Sequence, residues 1–277
     1  MRTPRILLQA AVAAIALAAG IIGVGSIRSP LPPTQGELLG ANLAPATARS
    51  VRVATFNIHS GCGPSGKTNL ALTAKTLEGF DLIGLQEVYD SLGPGSPPQT
   101  ALLATPSQVS LFAPTERHYW GDRFGNGLIT AIPISSWKTI PLPAPKDHSR
   151  RNAIIAHSGP ITFIITHITR STDQDEQLRM VEKLFLDQPA PAVLIGDLNA
   201  TSDHPLIQGL LQTPGVGNPL DQKMPEQAGK HIDWIFTRGL KTLDAGTRDL
   251  GASDHSLVWV ELAIALPAIR HPPATQP

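Results

Sequence analysis

Apolar residues recur along this chain in two patterns, and the polar residues that interrupt them fall at repeated places. Val51-Arg52-Val53-Ala54-Thr55-Phe56-Asn57-Ile58-His59 alternates in the manner of a strand. Unbroken runs such as Leu82-Ile83-Gly84-Leu85 and Ala192-Val193-Leu194-Ile195 have strand length and read as buried strands. These patterns predict strands over 51–59, 81–88, 128–134, 152–157, 161–167, 192–195, 231–236 and 257–262. Helical spacing predicts helices over 69–77, 172–186 and 205–211, the second with acidic residues in a first turn where they suit the helix dipole. Residues 89–114 are proline-rich and read as a variable surface loop, and 213–230 read as a loop walling the substrate site.

Outside these elements the ends of the chain have a different composition. Met1-Arg2-Thr3-Pro4-Arg5 precedes a charge-free run over 6–25, so 1–28 is expected to be a signal peptide or a membrane anchor. Ala16-Leu17-Ala18 and Val24-Gly25-Ser26 are candidate cleavage ends. Either fate exports the rest of the chain, to the periplasm or beyond, with a possible membrane tether at the N-terminus. Residues 29–50 read as a Pro-rich linker, 51–266 as the globular domain and 267–277 as a flexible tail. Lys+Arg 22 balance Asp+Glu 22, which argues against a global positive field gripping nucleic acid while leaving local patches open. The single cysteine, Cys62, excludes an intramolecular disulfide and a cysteine-based zinc site. The protein is expected to act as a monomer.

The chemistry concentrates where predicted strands end. Asp197 and Asn199 are two residues apart after the run 192–195, so in an extended chain they share a face. The same Gly-Asp-x-Asn pattern is equally that of an Asx-turn closing the strand. Asn57 ends the first strand as a turn former or a ligand. Glu87 follows an apolar run, where a carboxylate needs a cation or a hydrogen-bonding partner. Arg123 precedes, and Asn126 separates, two glycines that allow close approach to a phosphate or simply make a tight turn. His167 ends a strand, as structural histidines also do. Asp233 sits between apolar neighbours, and Asp254-His255 precede the last strand.

Thr55-Phe56-Asn57-Ile58, Leu85-Gln86-Glu87-Val88, Gly125-Asn126-Gly127-Leu128, Thr166-His167, Gly196-Asp197-Leu198-Asn199-Ala200, Ile232-Asp233-Trp234-Ile235 and Ser253-Asp254-His255, in this order, resemble the motifs of the endonuclease/exonuclease/phosphatase superfamily of metal-dependent phosphoesterases. The resemblance implies an α/β fold, a four-layer α/β sandwich of two mixed, largely antiparallel sheets with helices outside. It implies Glu87 as principal ligand of Mg²⁺ or Mn²⁺, with Asn57 beside it and Asp254 as a further ligand. It implies Asp197 as the residue that orients or deprotonates water, and Asn199 as a phosphate holder. His255 is implied as the catalytic histidine oriented by Asp233, and His167 as a contact to the phosphate or the leaving oxygen. Asn126 and Arg123 are expected to bind phosphate. Phosphodiester hydrolysis needs a cation on the phosphoryl oxygens, a base and relief for the leaving oxygen, and this set supplies all three.

The leading expectation is a nuclease, with a lipid (sphingomyelinase-like) or small-molecule phosphodiester as alternative substrate. A catalytically silent surface binding module is the competing class, though no ligand or base residue is missing. Zinc hydrolysis through the histidines is disfavoured because no helical H-x-x-x-H pair occurs.

Overall fold

Apolar runs buried on both faces need a layer above and a layer below, and two stacked sheets provide it. The computed structural model describes residues 28–40, 43, 50–90, 96–118, 121–145, 149–224, 229 and 231–264. The expected leader up to residue 27 and the tail 267–277 lie outside the described residues. The first strands are β1 (Arg28–Pro30), β2 (Gln35–Leu39), β3 (Ser50–Asn57), β4 (Leu82–Tyr89), β5 (Val109–His118), β6 (Arg123–Thr130) and β7 (Ile134–Pro141). They are followed by β8 (Asn152–Ser158), β9 (Ile161–His167), β10 (Ala192–Asp197), β11 (Val216–Gly217), β12 (Asp233–Arg238), β13 (Lys241–Arg248) and β14 (Leu257–Ala263). The helices are α1 (Leu70–Thr76), α2 (Gln99–Leu103), α3 (Gln174–Leu186), α4 (Pro205–Gln212) and α5 (Pro219–Lys223). No helix among the described residues is long and apolar enough to cross a membrane.

Each sheet has seven strands, in the orders β1-β5-β6-β4-β3-β14-β13 and β11-β12-β10-β9-β8-β7-β2. Each holds one parallel pair, β3 with β4 and β9 with β10, flanked by antiparallel neighbours. Strand alternation sorts the apolar side chains into three cores. Val53, Leu82 and Val258 cluster with Phe163, Ile165, Val193 and Ile195 between the sheets. Phe56, Ile83 and Leu85 cluster with Leu103 of α2 and with Leu77 at the end of α1. Ile164, Leu194 and Trp234 cluster with Leu178, Val181 and Phe185 of α3 and Ile207 and Leu210 of α4. The result is the expected four-layer sandwich.

Two glycines set how closely these layers meet. At Gly84 a Cβ would lie 2.7 Å from both Ile165 and Ile195, so its absence lets the sheets approach at their centre. At Gly196, with φ +156°, a Cβ would lie 2.1 Å from the Thr166 carbonyl oxygen in the neighbouring strand. Backbone cannot move aside as a flexible side chain does. Gly196→Ala is therefore expected to destabilise the protein by at least ~2 kcal/mol, read as a lowered midpoint in chemical denaturation.

Several expectations need correction. The expected linker 29–50 holds strands, because β1, which starts at Arg28 of the expected leader, pairs with β5, and β2 pairs with β7, giving each sheet an edge strand. Edge positions tolerate proline because its missing N–H faces away from the ladder. Arg28 also reaches the buried Glu116 carboxylate at 3.1 Å. Residues 89–114 are not one surface loop, since they contain α2 and the start of β5. Pro114 sits where the β5–β6 register shifts, so it breaks the apolar pattern without ending the strand. The glycines at 125 and 127 lie inside β6 rather than before a strand, because a Cβ at Gly125 would meet the Ala113 oxygen at 2.3 Å. The loop 213–230 carries β11 and α5. Strands β7 and β13 escape the pattern because their mostly polar sequences, in the strand next to the edge of one sheet and the edge strand of the other, carry no apolar run.

Candidate active site

The parallel pairs bring their C-terminal ends to one edge of the sandwich. Asn57 stands opposite Gln86, and Asp197 stands opposite both His167 and Asp233. Because β14 runs antiparallel to β3, Ser253-Asp254-His255 enter from the same end. β8 runs antiparallel to β9, so Arg151, the residue before β8, arrives there too. The resulting cleft encloses about 540 Å³ and is lined by His59, Glu87, Arg151, His167, Asp197, Asn199, Asp254 and His255, with Thr169, Arg170 and Ser171 on one wall.

Local backbone irregularities aim two of these side chains. Between Leu85 and Val88 β4 spends three steps against two in β6, from Gly127 to Gly125, and the extra residue makes a bulge. Glu87 lies in that bulge with φ +57°, and Asn199 has φ +51° after β10. Left-handed conformations of non-glycine residues are unfavourable and persist where surroundings enforce them. At Asn199 the enforcing contacts are its backbone N–H to Asp197 Oδ1 at 2.9 Å and its amide to the Ile168 oxygen at 2.8 Å.

Asn57 joins the two sheets at the floor of the cleft. Its amide donates to Glu87 Oε1 at 3.2 Å and to Asp197 Oδ2 at 3.0 Å, while its oxygen accepts the His59 N–H at 3.0 Å. Across the cleft His255 Nδ1 is 2.7 Å from Asp233 Oδ2, and its Nε2 lies 3.9 Å from Asp197 Oδ2.

These placements set the charges. Burial pulls the His255 imidazole down, but the hydrogen bond and charge of Asp233, with Asp197 and Asp254 adding, outweigh it and push it up to about 9. Burial pushes the Asp197 carboxyl up to about 7, with Asp233 adding and His255 and the Asn57 hydrogen bond opposing. His167 is held well below its ordinary value by burial and by Arg151, His255 and Arg170, so it is neutral. Burial also lowers the Arg151 guanidinium, while Glu87, Glu116 and Asp197 hold it up; an arginine stays charged under such conditions.

The structure thus assembles Glu87, Asn57, Asp254, Asp197, Asn199, His167, His255 and Asp233 in one place. It does not bring Asn126 or Arg123 there. The Asn126 amide is buried and donates to the Asn152 backbone and side-chain oxygens at 3.0 and 2.9 Å. Arg123 is paired with Asp90, through its backbone and its guanidinium. The Asn126 amide has no donor to spare for phosphate, and Arg123 is turned to Asp90 and does not line the cleft. Asn199 lines the cleft, yet its amide is engaged by Ile168 and by His167 Nε2 at 3.2 Å, which makes it a positioning residue. Sequence reasoning missed Arg151, Arg170 and His59. The β8–β9 register was the available signal for Arg151, since pairing Ala153 with Thr166 brings the residues before β8 to the end of β9, where His167 stands.

The residues present suit a hard divalent cation. Glu87 and Asp254 are carboxylates on the same cleft, and among the described residues the Glu87 side chain has no partner besides the Asn57 amide. Asp197, Asp233 and His255 also bring ligand atoms within 4.8 Å of one another. There, however, a protonated imidazole hydrogen-bonded to Asp233 occupies the space and repels a second cation, so Glu87 is the stronger candidate.

Residues 54–255 match the sequence profile of the Endonuclease/Exonuclease/phosphatase family. Among solved structures, an endonuclease/exonuclease/phosphatase from Beutenbergia cavernae is 24% identical, with a TM-score of 0.64 over 78% of this chain and 72% of its own. The human Nocturnin catalytic domain with bound sulfate is 16% identical, with a TM-score of 0.58 over 85% and 98%. D. rerio TDP2 complexed with a single-strand DNA product is 16% identical, with a TM-score of 0.57 over 78% and 100%. At these identities the likenesses speak for the fold alone. None of the curated proteins compared matches the chain. The profile match, spanning the strand-end residues that form the cleft, establishes that the chain belongs to the endonuclease/exonuclease/phosphatase family of metal-dependent phosphoester hydrolases.

Proposed function

We propose that this chain is an exported, Mg²⁺-dependent phosphodiesterase that cuts nucleic acid, acting as a monomer. The observation that carries the reading is the content of one cleft: a carboxylate pair for a cation, a carboxylate poised near neutrality, an imidazole paired with Asp233 and a buried arginine. Mg²⁺ held by Glu87, with Asn57 and Asp254 beside it and Mn²⁺ as a substitute, would polarise the phosphoryl oxygens as a Lewis acid. Asp197, oriented by the Asn57 amide and the Asn199 N–H, takes a proton from the attacking water. His255, kept protonated by Asp233, presents Nε2–H to the oxygen where charge develops. Arg151 holds a further phosphoryl oxygen. His167, being neutral, acts as a hydrogen-bonding group.

The leader expected at the N-terminus supports export, with the domain free or tethered to the membrane. A lipid-borne or small phosphodiester is the second reading, favoured by the zero net charge, which gives the protein no general attraction to a polyanion. A panel of DNA, RNA, sphingomyelin, inositol phosphates and bis(p-nitrophenyl) phosphate, each with Mg²⁺ and with EDTA, tests both. EDTA-sensitive turnover that is greatest on DNA or RNA is the expected outcome. Activity unchanged in EDTA would overturn the metal role, and turnover confined to sphingomyelin would overturn the nuclease reading.

A further inference from the structure

Arg170 lies on the wall of the cleft and takes no part in the steps above. It follows β9 in the turn leading to α3, and two separate contacts pin that turn. The Thr169 N–H donates to the buried Gln177 at 3.0 Å, and Arg170 Nε donates to Asn199 Oδ1. Asn199 is itself fixed by Ile168, by His167 and by Gln174, whose amide donates to the Asn199 carbonyl at 2.7 Å. The guanidinium is therefore held in orientation through its Nε while it stays exposed to solvent.

Among the described residues no carboxylate lies within ion-pair distance of Arg170, and its two terminal amino groups have no protein partner. Its charge nonetheless reaches the cleft centre, where it is felt by His167. The cation beside Glu87 and Asp197 is Arg151, so the phosphate undergoing cleavage already has its arginine. Arg170 stands beyond Asn199, on the side of the second sheet. A planar fork of donors, uncompensated and held on the rim of a site that takes anions, matches a second phosphate in geometry and charge.

We propose that Arg170 forms a second anion subsite that binds the phosphate next to the one being cleaved, so that the preferred substrate carries at least two phosphates. This rests on the phosphodiesterase reading, because it presumes where the first phosphate sits. The neighbouring phosphate is either a terminal monoester or the next diester of a chain.

Calorimetric binding in EDTA separates these cases without relying on turnover. TpT is compared with pTpT, TpTp and TpTpT on the wild type, Arg170→Gln and Arg170→Lys. At least one added phosphate is expected to tighten wild-type binding about tenfold, in keeping with a hydrogen bond between charged groups. That gain falls below about twofold in Arg170→Gln and survives in part in Arg170→Lys, which keeps the charge but loses the fork. A gain with TpTpT indicates a chain reader, and one confined to pTpT or TpTp indicates an end reader; both support the subsite. An equal gain in wild type and Arg170→Gln, or none in the wild type, overturns it. Failure of the phosphodiesterase reading would show separately, as wild-type protein with no EDTA-sensitive turnover of TpT.

Discussion

Glu87→Gly is expected to remove most Mg²⁺-dependent turnover and yet leave the protein at least as stable as before. The loss should be on the order of 10³-fold, the rate equivalent of several kcal/mol of charge stabilisation supplied through a bound cation. Stability moves the other way for a backbone reason. Glu87 sits at φ +57°, which costs a side-chain-bearing residue about 1–2 kcal/mol and glycine nothing. Glycine's greater freedom in the unfolded chain returns about 0.5–1 kcal/mol of that. The one hydrogen bond lost, from Asn57, leaves that amide with its second contact to Asp197. Turnover assays beside urea denaturation read both changes. A variant that kept near wild-type rates would remove Glu87 from the site, and one that unfolded would make it a structural residue.

The second large effect is in the pH profile. Asp197 must have lost its proton to act as base, so activity rises as pH climbs through about 7. His255 must keep its proton, so activity falls as pH climbs through about 9. The expected kcat/KM profile is a bell whose two limbs belong to the interacting pair. A divalent cation beside Asp197 favours its charged form, so added metal moves the acid limb to lower pH and never to higher. Asp233→Asn removes the group that raises both, so both limbs shift down. With His255 then losing its proton at lower pH, turnover should fall on the alkaline side, by about 10²–10⁴-fold where the imidazole is neutral. An unshifted alkaline limb in Asp233→Asn would show that His255 is not the group titrating.

The strand ends were legible in the sequence because an apolar run that stops at Asn57, Glu87, His167 or Asp197 marks where a buried strand reaches the surface. Parallel pairing then turned separate stretches into neighbours, while the four-layer order was implied by the resemblance to the superfamily and not by the apolar runs themselves. What stayed hidden depended on contacts that no local pattern encodes. Whether Asn126 faced phosphate or protein turned on Asn152, which comes from another strand, and Arg123 was claimed by Asp90. The bulge at Glu87 is visible only as an offset against β6. Arg151 resembled any charge before a strand until the β8–β9 register brought the start of β8 to the end of β9. The segment 28–39 has the composition of a linker, and only its pairing with both sheets makes it part of the domain.

Anomalous scattering from crystals soaked in Mn²⁺ would locate the cation directly. A peak within bonding distance of the Glu87 carboxylate, with Asp254 and Asn57 around it, is the predicted result. A peak seated instead on Asp197, Asp233 and His255, or no peak at Glu87 at saturating Mn²⁺, would contradict the assignment of the carboxylates and with it the division of labour in the cleft.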